Sequence, residues 1–325
     1  LGAGGVMSLD PWAQAAESLG LQINGSEKYF AGGALAPNGR IFFAPALASQ
    51  VVGVDPQTEA VELLGPAMQG SGKYFADGAL APSGMIYFAP ATAGQVLRID
   101  PWTQVVEALG PVLRGVGKYF AGGVLAENGK IYFAPANAEH VLCIDPAVQA
   151  IELLEPEVPG DMKYLASGVL GADGRIYFAP ASALHVLCID PQSQKAQLLG
   201  PPVHGHMKYL AGGVLAPTGK IYFAPGSAGQ VLRIDPEAQS VGTLGPRMEG
   251  YSKYVARGAV GQDGRVYFAP SASGQVLCID PEKDSVELLG STLGDTGYMA
   301  GGVLAPNGSV YFAPAGESRV LRIEP

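Results

Sequence analysis

Residues 28–65 read KYFAGGALAPNGRIFFAPALASQVVGVDPQTEAVELLG, and this stretch decides the fold. It contains four short runs rich in apolar, aromatic and β-branched residues. Strand A is expected over 29–36. Pro37-Asn38-Gly39 follows, a hairpin signal because Asn and Gly tolerate positive φ. Strand B is expected over 40–44 and strand C over 50–55, joined by the short loop 45–49. Asp55-Pro56-Gln57-Thr58 forms a second turn, and strand D is expected over 59–64. Pro and Gly fall at turns and strand ends, where no ladder hydrogen bond is lost.

The unit recurs along the chain. Asp10, Asp55, Asp100, Asp145, Asp190, Asp235 and Asp280 lie 45 residues apart, each followed by Pro. Glu324-Pro325 closes the series one residue early, and the missing residue falls within 291–297. Four antiparallel strands in a period of this length make a propeller blade. A helical repeat fails because no segment carries apolar residues at a 3.6 period. A β-solenoid fails because its rungs are shorter and need no hairpin turn.

Strand A recurs seven times, so residues 1–325 are read as one all-β domain, a seven-bladed β-propeller. Strand D first occurs over 15–19, before any strand A. Strand C occurs eight times, counting 6–10 and 320–324. The N-terminal strand D, alone or with its strand C, is therefore expected to pair with the last blade and close the ring, removing exposed edges. The two spare copies of strand C compete for one slot.

Composition narrows the function. The net charge is −9, and the 20 lysines and arginines form no run, which argues against a nucleic-acid partner. No stretch of eighteen apolar residues offers a membrane span. Three cysteines at wide spacing are no disulfide framework. The chain starts at Leu1 rather than Met, as expected of a mature chain from an organelle or secretory route, or of a fragment.

The phrase GGVLAPNGKIYFAP…VLCIDP resembles the repeats of the NHL, SMP-30 and streptogramin-lyase propellers. Its pattern is closer still to tandem propeller repeats of protist and algal proteins, dinoflagellates included, whose function is not established. The likeness spans nearly the whole chain and implies architecture. Streptogramin lyases hold a metal with His and Glu after a WFTE-like strand, whereas this sequence has FAPA there, with no acid. SMP-30 lactonases hold calcium with Glu, Asn and Asp, and no such set stands out. Neither activity is carried over.

The repeated aspartates suggest a metal ring, but hairpin register argues for structure. Arg40 faces Asp55, and the same rule pairs Lys130 with Asp145, Arg175 with Asp190, Lys220 with Asp235 and Arg265 with Asp280. An Asp before Pro also caps its own turn. Register sets Tyr87, Tyr222 and Tyr311 against Arg98, Arg233 and Arg322, an expected cation–π contact. Cys143, Cys188 and Cys278 face Tyr132, Tyr177 and Tyr267 and read as buried packing residues, reduced and inaccessible. His185, His204 and His206 sit in loops of one face. They are the weak candidates for a metal, against a plainer reading as surface histidines. Asn24-Gly25-Ser26 and Asn307-Gly308-Ser309 match the glycosylation acceptor.

Comparison of the copies locates variation on one face. The D–A loops differ most, at Asn24, Gln69, Arg114, Pro159, His204 and Glu249. On the innermost strand, position 32 of the unit reads Gly32, Asp77, Gly122, Ser167, Gly212, Arg257 and Gly301. Lys28, Lys73, Lys118, Lys163, Lys208 and Lys253 each begin strand A, while the seventh copy has Gly297. These lysines are expected to ring one channel mouth, where an anionic group could dock. The competing expectation lays each stem on its blade and pairs the ammonium with a carbonyl or acid. The leading expectation is thus a non-enzymatic binding or scaffold module without a cofactor. It would present the D–A and B–C loops, with Asp77 and Arg257, to a protein partner or small anionic ligand, in some settings as a subunit of a larger assembly. The alternative is a lactonase- or lyase-type enzyme with a divalent metal at the channel mouth.

Overall fold

A computed structural model describes residues 6–10, 15–20, 22–23, 25–291, 297–317 and 319–325, with the backbone alone for 6–10 and 15–18. Asn24 and the shortened part of 291–297 lie outside the described residues. The chain divides into two compact units, residues 1–125 with 129–153, and residues 126–128 with 154–325. The first unit carries a hairpin and three blades, and the second carries four. All described secondary structure is β, and the seven sheets are the blades of an all-β seven-bladed propeller.

Blade 1 shows the rule. Its ladders run through Ala34–Leu35, Ile41–Phe43, Val51–Asp55 and Ala60–Leu64, in antiparallel sequence order. Strand A is much shorter than expected. Only its last residues join the ladder, because the stretch before them approaches the neighbouring strand too closely for side chains. A Cβ on Gly33 would lie 2.6 Å from the Phe43 ring, and on Gly213 2.4 Å from Phe223. Every copy keeps Gly here so that the strand-B phenylalanine can slide beneath strand A. The A–B turn forms as read: Gly39 has φ 82°, and Asn38 Oδ1 accepts the Arg40 N–H at 3.1 Å.

Within each unit the cores lie between successive blades. In the first unit Phe42 of blade 1 packs with Phe88, Leu97 and Ile99 of blade 2, all nearly inaccessible. In the second unit Tyr222 and Val231 pack with Phe268, Leu277 and Ile279. Burying each such side chain is worth about 1.5–3 kcal/mol, so the blades hold one another rather than standing alone.

The two ends of the chain each carry locally paired strands. Val6–Asp10 pairs with Ala15–Leu19 as a two-stranded sheet. The last blade has three strands, with Leu321–Ile323 paired to Val310–Phe312 and so filling slot C. Pairing between the N-terminal strands and the last blade is not among the ladders of the described residues.

Candidate functional site

The register-derived contacts are the frame of the site. Asp55 Oδ1 accepts the N–H groups of Gln57 and Thr58 at 2.9 and 3.3 Å, and these bonds hold its carboxyl below the usual range. Asp100, Asp190 and Asp280 repeat the cap. Lys130, Arg175 and Arg265 reach Asp145, Asp190 and Asp280 at 3.4–3.6 Å. Lys220 departs from the expected pairing: it binds Asp284 of the next blade at 2.9 Å rather than Asp235. Arg233 joins the same carboxylate at 2.9 Å.

The arginines face their tyrosines in register, but the expected cation–π contacts do not form. Arg98 turns to Glu107, Arg233 to Asp284 and Arg322 to Glu324. Among the described residues the ring–cation contact is Arg40 over Phe42, at 6.0 Å. A carboxylate within reach, on the adjoining strand, the next blade or just past the same strand, offers a full charge where a ring offers a quadrupole. Cys143, Cys188 and Cys278 are free and buried. Burial raises all three thiols, that of Cys143 to about 11, so none is a ready nucleophile.

The lysines correct the anion-docking expectation. Lys73, Lys118, Lys163, Lys208 and Lys253 are buried, and Lys28 is half-buried. Each ammonium is aimed at backbone carbonyls. Lys73 Nζ donates to Ala46 O at 3.0 Å and Gly70 O at 2.7 Å; Lys118 Nζ donates to Ala91 O and Gly115 O, both at 2.9 Å. Lys208 spends all three donors, on Ala181 O, Ala183 O and Gly205 O at 2.8–2.9 Å. Lys28, Lys163 and Lys253 bind Gly25 O, Gly160 O and Gly250 O at 2.5–2.8 Å. Lys73, Lys118 and Lys208 thereby fasten a D–A loop to the B–C loop of the preceding blade. Desolvation lowers the pKa values of Lys73, Lys118, Lys208 and Lys253, that of Lys208 to about 8.

The histidines also have structural duties. His185 occupies the slot filled by Gln50, Gln95, Gln230 and Gln275. Its Nδ1 lies 2.9 Å from Gly200 O, as Gln50 Nε2 lies 2.7 Å from Gly65 O. His204 and His206 are exposed, and His185, His204 and His206 do not gather within reach of one ion. Asn307 is engaged in its turn, donating to Tyr311 Oη at 2.9 Å and accepting from Ser309 N.

What these anchors leave free is a set of loop tips. Backbone bonds of 2.6–2.7 Å tie Met68, Leu113, Val203 and Met248 to the B–C loops, fixing the root of each D–A loop. Beyond the roots, Val112, Val116 and Tyr251 are each more than two-thirds exposed. In the first unit, Leu113, Arg114, Asn137, Glu139 and His140 line a cleft of about 400 Å³. Asp77 and Arg257 are both exposed, two residues before the innermost strands Ala79–Leu80 and Ala259–Val260, in the first and second unit respectively. Asp77 Oδ1 accepts the Gly32 N–H at 2.5 Å. The Arg257 stem lies against Gly212, where an added Cβ would be 3.1 Å from its Cγ.

One constellation escaped the sequence reading. Phe30, Phe75 and Phe120 of blades 1–3 stand in a row, with centroids 5.2 and 5.1 Å apart and planes tilted by 48° and 31°. Phe30 is 46% exposed. The signal was present: the residue after each copy's opening tyrosine is Phe in these three copies and Leu165, Leu210, Val255 and Met299 thereafter.

No known family matches the sequence, and no curated protein does. Solved structures do resemble it. A catalytically inactive virginiamycin B lyase from Staphylococcus aureus, solved with quinupristin, aligns at TM-score 0.63 and 15% identity, covering 90% of this chain and 94% of that one. A streptogramin B lyase aligns at 0.61 and 17% identity, covering 92% and 94%. Kuenenia stuttgartiensis hydrazine synthase aligns at 0.61 and 16% identity, covering 93% and 97%. At such identity the likeness establishes the fold alone.

Proposed function

We propose that this chain is a non-enzymatic binding propeller that presents the tips of its D–A and B–C loops to a protein partner. One observation carries the reading: loop roots pinned by buried lysines and backbone bonds, with exposed, copy-specific tips at Val112, Arg114, Val116 and Tyr251. A rigid frame with exposed apolar and charged tips suits recognition, since little order is lost on binding. The buried thiols with raised pKa values support a binder over a nucleophilic catalyst.

The test is native co-purification of the tagged chain beside a Val112→Ser, Arg114→Ser, Val116→Ser variant. A stoichiometric partner lost by the variant, at unchanged melting temperature, is the expected result. A partner retained equally by the variant overturns the use of these tips. A stoichiometric divalent ion that supports lyase or lactonase turnover would favour the enzymatic alternative.

A further inference from the structure

The middle ring of the aromatic row has a carboxylate two residues along the chain. Phe75 is the middle ring of the three, and Asp77 follows it by two residues in the stretch that leads into the strand Ala79–Leu80. Tyr74 and Ala76 are buried, at 3% and 0%, so Phe75 and Asp77 share the outward side of an alternating stretch. The neighbouring copies carry Gly32 and Gly122 at the position of Asp77. A side chain at Gly32 would collide with the carboxylate, its Cβ falling 2.7 Å from Oδ1. The glycine at position 32 is therefore what gives the carboxylate its room. Asp77 is exposed and receives the Gly32 N–H, and no lysine or arginine among the described residues pairs with it. The nearest expected cation, Lys73, is turned inward onto the carbonyls of Ala46 and Gly70.

Aromatic faces carry negative potential, and a carboxylate beside them adds full charge, so both attract an organic cation. We infer that Phe30, Phe75, Phe120 and Asp77 form a binding site for an alkylammonium group. This rests on the binding-propeller reading and reverses the charge first expected of the ligand. The source is the lysine side chain of a protein partner. Small-molecule sites enclose most of their ligand, whereas Phe30 is nearly half exposed and the rings form an open row that a projecting side chain can meet.

The probe is a capped Ser-Lys-Ser peptide, titrated while the ring resonances of Phe30, Phe75 and Phe120 are followed. Its norleucine counterpart and free choline serve as comparisons. The lysine peptide should shift all three rings and saturate, and the norleucine peptide should bind several-fold more weakly. Asp77→Asn and Phe75→Leu should each weaken the lysine peptide about two- to fivefold, with unchanged melting temperature. Equal binding of the lysine and norleucine peptides, or no ring shift with either, overturns the site. Choline saturating the rings at tenfold lower concentration than the peptide overturns the assignment to a protein side chain. These outcomes do not depend on the loop tips: loss of co-purification in the Val112, Arg114, Val116 variant together with failed titration would sink this inference alone.

Discussion

Phe75 and Leu210 occupy equivalent places in blades 2 and 5, yet their surroundings differ in kind. Around both, the frame is the same. Tyr74 donates to Gln95 O at 3.2 Å and Tyr209 to Gln230 O at 3.2 Å. Lys73 and Lys208 both clasp carbonyls of the preceding blade. The residue after the tyrosine changes, as Asp77 changes to Gly212 two places on, and with the first change the first unit gains a row of rings that the second lacks. The comparison teaches that the lysines belong to the frame and the phenylalanines to the face. Charge placed at a mouth is not charge offered to solvent when backbone carbonyls can satisfy it.

Changes to the frame should be costly in both units alike. Gly123→Val and Gly213→Val each drive a side chain into a strand-B ring, with Cβ 2.4 Å from Phe133 or Phe223. A loss of about 3 kcal/mol or more is expected from each by urea unfolding, beyond ordinary overpacking because backbone and ring must both shift. A variant at either site that melts like the wild type would break the equivalence of the two units.

The clasp comes next in size. Lys118→Met and Lys208→Met keep the stem but leave the carbonyls of Ala91 and Gly115, or of Ala181, Ala183 and Gly205, without that donor. A cost of about 1–3 kcal/mol each is expected. Equal stability of both variants and wild type would return the lysines to the face and revive anion docking.

The pH dependence sharpens the same point. Burial lowers Lys208 to about 8, below an unfolded value of about 10.4. Between these values the unfolded chain holds more protons, so this lysine adds stability as pH rises. The stability gap between wild type and Lys208→Met should therefore widen from about pH 8 to about pH 10.4. The raised thiol of Cys143 acts oppositely, its contribution being lost as pH climbs to about 11. Burial also raises Tyr74, Tyr119, Tyr164 and Tyr209, so their contribution is full below about pH 10 and falls away above it. A constant gap across the alkaline range would show that Lys208 is not desolvated.

The smallest effect belongs to the face. Phe75→Leu makes blade 2 resemble blade 5 and should change stability by less than about 1 kcal/mol, since the ring is only partly buried. A large loss on chemical unfolding would move the aromatic row into the frame.

The sequence alone determined the blade count, the cross-strand register and the aspartate turn caps. Those features rest on interactions within one hairpin, where turn chemistry and a period of two leave one solution. Ile41 opposite Val54 and Tyr177 opposite Cys188 could be read before any coordinates. Only the tertiary structure decided where long, polar side chains end. Lys208 finds carbonyls 25 and 27 residues away, and Lys220 finds Asp284 on the next blade. Several acceptors lie within reach of such stems, and the choice falls to the closest packing between blades. The row of Phe30, Phe75 and Phe120 belongs to that second class. Residues 45 apart become neighbours because blades 1 to 3 stack on one another through their buried Phe, Leu and Ile side chains.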